Sequence, residues 1–329
     1  MSRNVENLSL AFPHLHQSLI DYSIPDFFYT NSSVKQLHLD GCTHLTTSSC
    51  SVSWASLKKL SLDSCDISEE SLAKILCGCP VLESLRLFGF TLLTQLKVVD
   101  LSKSPRLLEI HLSGVQNPYI HYLRLTSNQY PVTLVDVSSL TKVKLDFFFC
   151  PIKDRLDADL LQVMALEMLK KLKTVKKLTF GENFLKILSL VELRGVPFPI
   201  LKAQVLTLKT NFSQYVMHGI VRVLQNSPQL KKLTLKRKSN YGIIPDKHLD
   251  YYLYSHSLNL NRYRILRESW PLRSKHVSFF MKYLLKNTKR LEKMVVIGLK
   301  DDLQGRGFEK LLQMVPVLSH DNNVAIVFT

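Results

Sequence analysis

Between Leu57 and Leu87 the chain reads LKKLSLDSCDISEESLAKILCGCPVLESLRL, and its apolar period changes twice within that stretch. Leu57, Leu60 and Leu62 lead a segment that alternates apolar with polar residues, which predicts a half-buried strand. Cys65 follows, where a small residue fits under the strand's end. Leu72, Ile75, Leu76 and Cys79 then recur at helical spacing and predict a helix with one apolar stripe. Asp66, with Glu69 three residues on, predicts a capping box at its start, and Pro80 closes it. Leu82, Leu85 and Leu87 begin the strand again.

A strand, a turn and a helix that return to a strand cannot bury their apolar side alone. They need a copy on either side. Val34, Leu37, Leu39 and Cys42 form the preceding copy, and Leu37, Leu60 and Leu85 recur within the roughly 20–29 residues of a leucine-rich coil. The segments ILCGCPVLESLRL from Ile75, MLKKLKTVKKLTF from Met168, VLQNSPQLKKLTL from Val223 and LLKNTKRLEKMVV from Leu284 write one helix-to-strand unit four times. Phe308, Leu311, Leu312 and Val315 lead into a last apolar run, Val324 to Phe328. The expected fold is therefore α/β, a leucine-rich-repeat solenoid with a curved parallel sheet on its concave side and helices on its convex side. Val5, Leu8 and Leu10 look like its first strand, with no capping segment before them to cover the edge, so self-association through that edge is expected. The pattern breaks between Leu87 and Leu145. Leu96 to Leu101 reads as the return limb of one coil, Gly114 to Asn117 as a shortened connection, and Ile120, Leu123 and Leu125 follow Ile110 too closely for a full coil. Asp154 to Asp159 enters a helix carrying Leu161, Met164, Ala165, Met168 and Leu169. Val191 and Leu193, punctuated by Pro197 and Pro199, read as strand-like.

With 329 residues, 46% of them hydrophobic, the chain can bury a large core. No apolar run is long enough to span a bilayer, and the N-terminal residues lack a signal peptide's apolar core, so an intracellular protein of cytoplasm or nucleus is expected. Cys42 and Cys65 hold equivalent repeat positions, which predicts buried free thiols, and the sequons at Asn7, Asn31 and Asn211 are then chance matches. No chemistry of catalysis emerges. Cys77 and Cys79 lack a second ligand pair, His14 and His16 lack further ligands, and Gly305 to Gly307 lacks the lysine and hydroxyl of a phosphate loop. Neither an enzyme nor a cofactor or metal site is expected.

Binding is the remaining role. Side chains beside the buried leucines point away from the core, and they give a candidate concave face of Gln36, His38, Asp40, Lys59, Asp63, Arg86, Phe88, Tyr122, Arg124, Lys142 and Lys144. Phe88 is the residue there that a merely solvated face does not need. Net charge is +16. From Lys231 to Lys275 eleven lysines and arginines stand against Asp246, Asp250 and Glu268. Lys231, Lys232, Lys236, Arg237, Lys238, Arg262, Arg264 and Arg267, interleaved with Tyr251, Tyr252, Tyr254 and Tyr263, form a candidate surface for nucleic acid or an acidic protein. The competing reading is a solvated face.

The blocks RNVENLSLAF, DFFYTNSSVKQLHL, SWASLKKLSLDSCDISEESLAKILCGCPVLESLRL and VDLSKSPRL resemble, in order, the leucine-rich-repeat portion of plant F-box proteins. The tail, FMKYLLKNTKRLEKMVVIGL and GRGFEKLLQMVPVLSHDNNVAIVF, is similar to the FBD-type segment of that family. The resemblance runs from Arg3 onward. It implies selection of target proteins for a Skp1-cullin-F-box ubiquitin ligase, with an unknown protein as partner. The helical F-box that contacts Skp1 in the family has no counterpart here, so Skp1 binding is not expected of this chain. The implied organisation is a repeat solenoid over 1–237, a basic, tyrosine-rich insertion over 238–275, and an FBD-like repeat or cap over 276–329.

Overall fold

Alternating leucines become strands because each strand can then place one row of side chains in a core and the other in water. A computed structural model of the chain describes residues 5–12, 24–42, 51–65, 67–91, 98–100, 107, 109–115, 133–135, 137, 140–148, 158–193, 195–237, 246–257, 274–300, 303 and 306–329. The chain divides into two compact units, Met1–Ile152 and Lys153–Thr329.

The first unit contains β1 (Asn7–Ala11), β2 (Gln36–Asp40), β3 (Lys59–Asp63), α1 (Glu69–Cys77), β4 (Ser84–Thr91), β5 (Val98–Asp100), β6 (Glu109–Val115), β7 (Thr133–Val135) and β8 (Lys142–Phe148). β1, β2, β3, β4, β6 and β8 pair in that order, each parallel to the next. Their register is the repeat itself: Leu8, Leu37, Leu60, Leu85, Ile110 and Val143 align, as do Leu10, Leu39, Leu62, Leu87, Leu112 and Leu145. Leu37, Leu39, Leu60, Leu62, Leu85, Leu87, Val143 and Leu145 are all buried. Leu8 and Leu10 are only half-buried. β5 pairs instead with β7, in a separate two-stranded parallel sheet, consistent with a return limb. Gly114 and Val115, expected to begin a shortened connection, belong to β6 and pair with Phe147 and Phe148, while Gln116 and Asn117 lie outside the described residues. The stretch 120–125 lies outside the described residues.

The turn that leaves each strand is also repeated. Gly41 and Ser64 follow β2 and β3 with φ of 72° and 53°, and the thiols of Cys42 and Cys65 are buried directly after them. A left-handed residue turns the chain inward under the strand, and glycine does so at the least cost. On the far side of the coils, Trp54 donates its indole N–H to the carbonyl of Phe28 at 2.8 Å and packs against both Phe28 and Tyr29. Gly78 lies so close to the neighbouring coil that a Cβ there would stand 2.3 Å from the carbonyl oxygen of Val52.

α1 is capped differently from the expectation. Its first helical residue is Glu69 and its cap is Ser68, whose hydroxyl accepts from the backbone N–H of Ser71 at 3.1 Å. Asp66 lies outside the described residues; Glu69 occupies the first helical position, whereas a capping box needs its carboxylate at the third.

The second unit repeats the plan: α2 (Ala158–Lys171), β9 (Lys177–Phe180), α3 (Glu182–Leu193), β10 (Val205–Lys209), α4 (Met217–Gln225), β11 (Lys232–Lys236), α5 (Asp246–Ser255), α6 (Ser274–Lys286), β12 (Lys293–Ile297), α7 (Gly307–Asn322) and β13 (Ala325–Phe328). β9 to β13 pair in chain order, all parallel, with Leu178, Leu206, Leu233, Met294 and Ile326 in one row. α2, α3, α4, α6 and α7 lie side by side in the same order. Val191 and Leu193 are not strand-like but form the last turn of α3. Phe184, Leu188 and Val191 supply its helical stripe, and the prolines fall beyond the helix, where they cannot disturb it. The true strand of that coil is β10, which is not among the four copies legible in the sequence.

Every residue from Gly181 to Val191 is buried, so α3 has no solvent face on which to put its polar side chains. α4 approaches it through Gly219, where a Cβ would stand 2.4 Å from the carbonyl oxygen of Leu185. The Gly219 N–H donates to Ser189 Oγ at 2.8 Å.

Gly219→Ala is expected to force these helices apart and lower stability by about 1–3 kcal/mol, seen as a lower urea midpoint. An unchanged midpoint would mean that the helices can separate freely. Gly195→Ala is the comparison: no atom lies within 4 Å of its added Cβ, so any loss there reports the strain of φ +66° and not a clash. A second expectation concerns thiols. Burial pushes the Cys65 and Cys79 thiols up to about 12, whereas Cys77 is exposed. Because the thiolate is the nucleophile, iodoacetamide at neutral pH should alkylate Cys77 and spare Cys65 and Cys79 until the chain is unfolded, as peptide mass spectrometry will show.

Candidate functional site

The outward row of each strand is set by the same register that buries its leucines. In the first unit Gln36, Lys59 and Ser84 align, followed by His38, Ser61 and Arg86, and then Asp40, Asp63 and Phe88. Register carries these rows on through β6 to Lys142, Lys144 and Asp146 of β8. Neighbouring strands stand about 4.8 Å apart, so a partner lying across them meets several side chains from different coils.

Arg86 organises the centre of this face. Its Nη2 lies 3.1 Å from Asp63 Oδ2, and its guanidinium carbon sits 5.1 Å from the centre of the Phe88 ring. Ser61 donates to the other carboxylate oxygen of Asp63 at 2.9 Å. The Arg86 side chain is 44% exposed and that of Asp63 is 13% exposed. The cation is thus held by its carboxylate and ring while keeping part of its surface for a partner. Among the expected face residues, Gln36, Lys59 and Lys142 are exposed, and His38, Asp40, Asp63, Arg86, Phe88 and Lys144 are half-buried. Tyr122 and Arg124 lie outside the described residues.

The basic candidates are dispersed. Lys231 pairs with Glu292 at 2.9 Å, while Lys232 and Lys236 occupy outward positions of β11 and are exposed. Arg237 is half-buried; burial lowers its pKa and the charge of Glu182 opposes that shift. Lys238, Arg262, Arg264 and Arg267 lie outside the described residues.

A polar cluster not anticipated from sequence ties α5 to the helices of the second unit. Lys186, 2% exposed, stands 3.6 Å from Glu182 and 3.2 Å from Asp246 at the start of α5. Tyr215 donates to Asp250 at 2.7 Å, and burial followed by that carboxylate pushes its phenol pKa upward. Tyr252 donates to Asp159 at 2.7 Å and accepts from Gln162 at 2.8 Å. The i, i+4 spacing of Glu182 and Lys186 was the available signal, but only tertiary burial separates this pair from an ordinary surface pair. It is structural in character, because a buried ammonium requires compensating carboxylates.

Among the described residues no helix is long and apolar enough to cross a membrane. The profile of "FBD-associated F-box protein At5g56370, LRR repeats" matches residues 1–235. The chain belongs to the F-box/LRR-repeat family. It is 48% identical over 354 residues to F-box/LRR-repeat protein At3g03360 of Arabidopsis thaliana, an alignment covering 100% of this chain and 70% of the relative. It is 44% identical over 351 residues to F-box/LRR-repeat protein At5g02910 of the same plant, covering 99% and 75%. To the putative F-box/LRR-repeat protein At3g18150, also of Arabidopsis thaliana, it is 44% identical over 344 residues, covering 99% and 72%. For this F-box/LRR-repeat chain, the leucine ladders are the family's repeats in three dimensions.

Lys186→Met should take from the buried Glu182 the cation that stands 3.6 Å away and lower stability by about 3–5 kcal/mol. Adding Glu182→Gln should recover part of that loss. Chemical denaturation of the two variants checks it, and equal stability of both with the parent would refute the assignment of Lys186 as the compensating charge.

Proposed function

We propose that this chain is a non-catalytic recognition module that selects target proteins for an SCF-type ubiquitin ligase, and that targets dock on the outward face of β2, β3, β4 and β8. Membership of the F-box/LRR-repeat family supports the class of role. The observation that carries the choice of face is Arg86, held between Asp63 and Phe88 with nearly half of its side chain exposed. An arginine stacked on an aromatic ring and fixed by a carboxylate loses little freedom on binding, and both residue types are favoured at the centres of protein interfaces. Residues 1–237 then act as the repeat part and 276–329 as an FBD-like segment, whose role as a continuation of the repeats is supported by the parallel pairing of β12 and β13 after β11. The setting is intracellular, in cytoplasm or nucleus.

The test is capture from plant extract with the parent chain and with an Arg86→Glu, Phe88→Ala variant, followed by a half-life measurement on each captured protein. The expected result is a protein lost from the variant and longer-lived in plants lacking this chain. A captured protein indifferent to both substitutions refutes the face, and one whose half-life does not change refutes the ligase role.

A further inference from the structure

The outward face of the second unit has a different chemistry. By register, Lys177, Val205, Lys232, Lys293 and Ala325 form one row, Thr179, Thr207, Thr234, Val295 and Val327 the next, and Lys209, Lys236 and Ile297 a third. Lys177, Lys232, Lys236 and Lys293 are exposed, and none of the four makes an ion pair with another described residue. Lys232 stands directly opposite Lys293. Like charges facing one another on adjacent strands cost stability. No outward position of β9 to β13 carries an acidic residue to relieve that repulsion. Val205, Val295, Ile297 and Val327 are half-buried on the same face, so the lysines border apolar surface.

We propose that this face binds an acidic protein segment in which carboxylates are interspersed with apolar side chains. The proposal rests on the reading of the chain as a target-recognition module and supplies the chemistry of one class of target. Carboxylates would answer the lysines, hydroxyls of Thr179, Thr207 and Thr234 can donate to or accept from a peptide backbone, and apolar side chains would cover Val295, Ile297 and Val327. Single-stranded nucleic acid fits less well. It stacks its bases on aromatic platforms, and no aromatic residue occupies an outward position of these strands. Every cation on the face is lysine, and the planar fork that arginine offers to phosphate is absent.

Fluorescence anisotropy of the full chain tests this with a labelled synthetic peptide in which aspartate or glutamate alternates with leucine. Polyglutamate and oligothymidylate serve as competitors. The alternating peptide is expected to bind most tightly and to weaken as salt rises. Lys232→Glu with Lys293→Glu should lower its affinity about tenfold or more, and Val295→Thr with Ile297→Thr should weaken it several-fold without changing polyglutamate binding. If the charge reversals disturb folding, judged by circular dichroism, Lys232→Gln with Lys293→Gln replaces them and should give a smaller loss in the same direction. Absence of peptide binding at low salt, indifference to the lysine substitutions, equal binding of polyglutamate, or tighter binding of oligothymidylate would each overturn the proposal. Failure here, with target capture still dependent on Arg86 and Phe88, leaves the recognition role standing. Loss of that dependence while the peptide still binds refutes the first-unit face alone.

Discussion

Stacking of coils in a single register is the constraint from which the other features follow. A coil presents leucines on one side of a short strand, and nothing inside the coil can cover them. Parallel pairing with the next coil aligns Leu37 with Leu60 and Leu85, and Leu206 with Leu233 and Met294, so that each unit grows a continuous apolar sheet face. That alignment has two consequences. Residues at Gly78 and Gly219 must be small because neighbouring backbones meet there. The alternate residues of every strand are also forced into a common outward row, and surface chemistry becomes a matter of which side chains the repeats place between their leucines.

The two units use that freedom differently. Outward charges in the first are partly answered on the same face, as Arg86 is by Asp63. Lysines in the second accumulate with no acidic neighbour in their rows, although the same unit compensates a buried lysine thoroughly. Lys186 has two carboxylates and the Tyr215 ring around it, because an uncompensated ammonium in that position would be prohibitively costly. Exposed lysines are tolerated since water and salt screen them. Burial therefore decides where a charge must be neutralised by the fold and where it can be left for a partner.

Most of the architecture was legible because strand and helix periods differ and the repeats spell both clearly. Leu60, Leu62 and Leu85 can be assigned to strands, and Leu284 and Leu285 to a helix, from spacing alone. Val191 and Leu193 defeat that reading because a helix buried all round shows no clean polar face, and adjacent prolines resemble strand punctuation. β10 alternates as plainly as its neighbours, but a strand read at Val191 and Leu193 takes its place in that coil. Ser68 caps α1 because its hydroxyl meets a free N–H of the first turn, and spacing alone does not say which nearby oxygen will do so.

The outward positions of β2, β3 and β4 were also legible, since a strand's alternation names both faces at once. Sequence by itself determined the repeated α/β unit, the burial of the leucines, the free thiols at Cys42 and Cys65, and membership in a recognisable family. Contacts between residues far apart in the chain were decided only by tertiary structure. The pairing of Lys186 with Asp246, the pairing of Arg86 with Asp63, and the gathering of Lys177, Lys232, Lys236 and Lys293 on one face all depend on how coils are set against one another. Periodicity reports which side of an element is apolar, but neighbours across a sheet are fixed by how the coils stack.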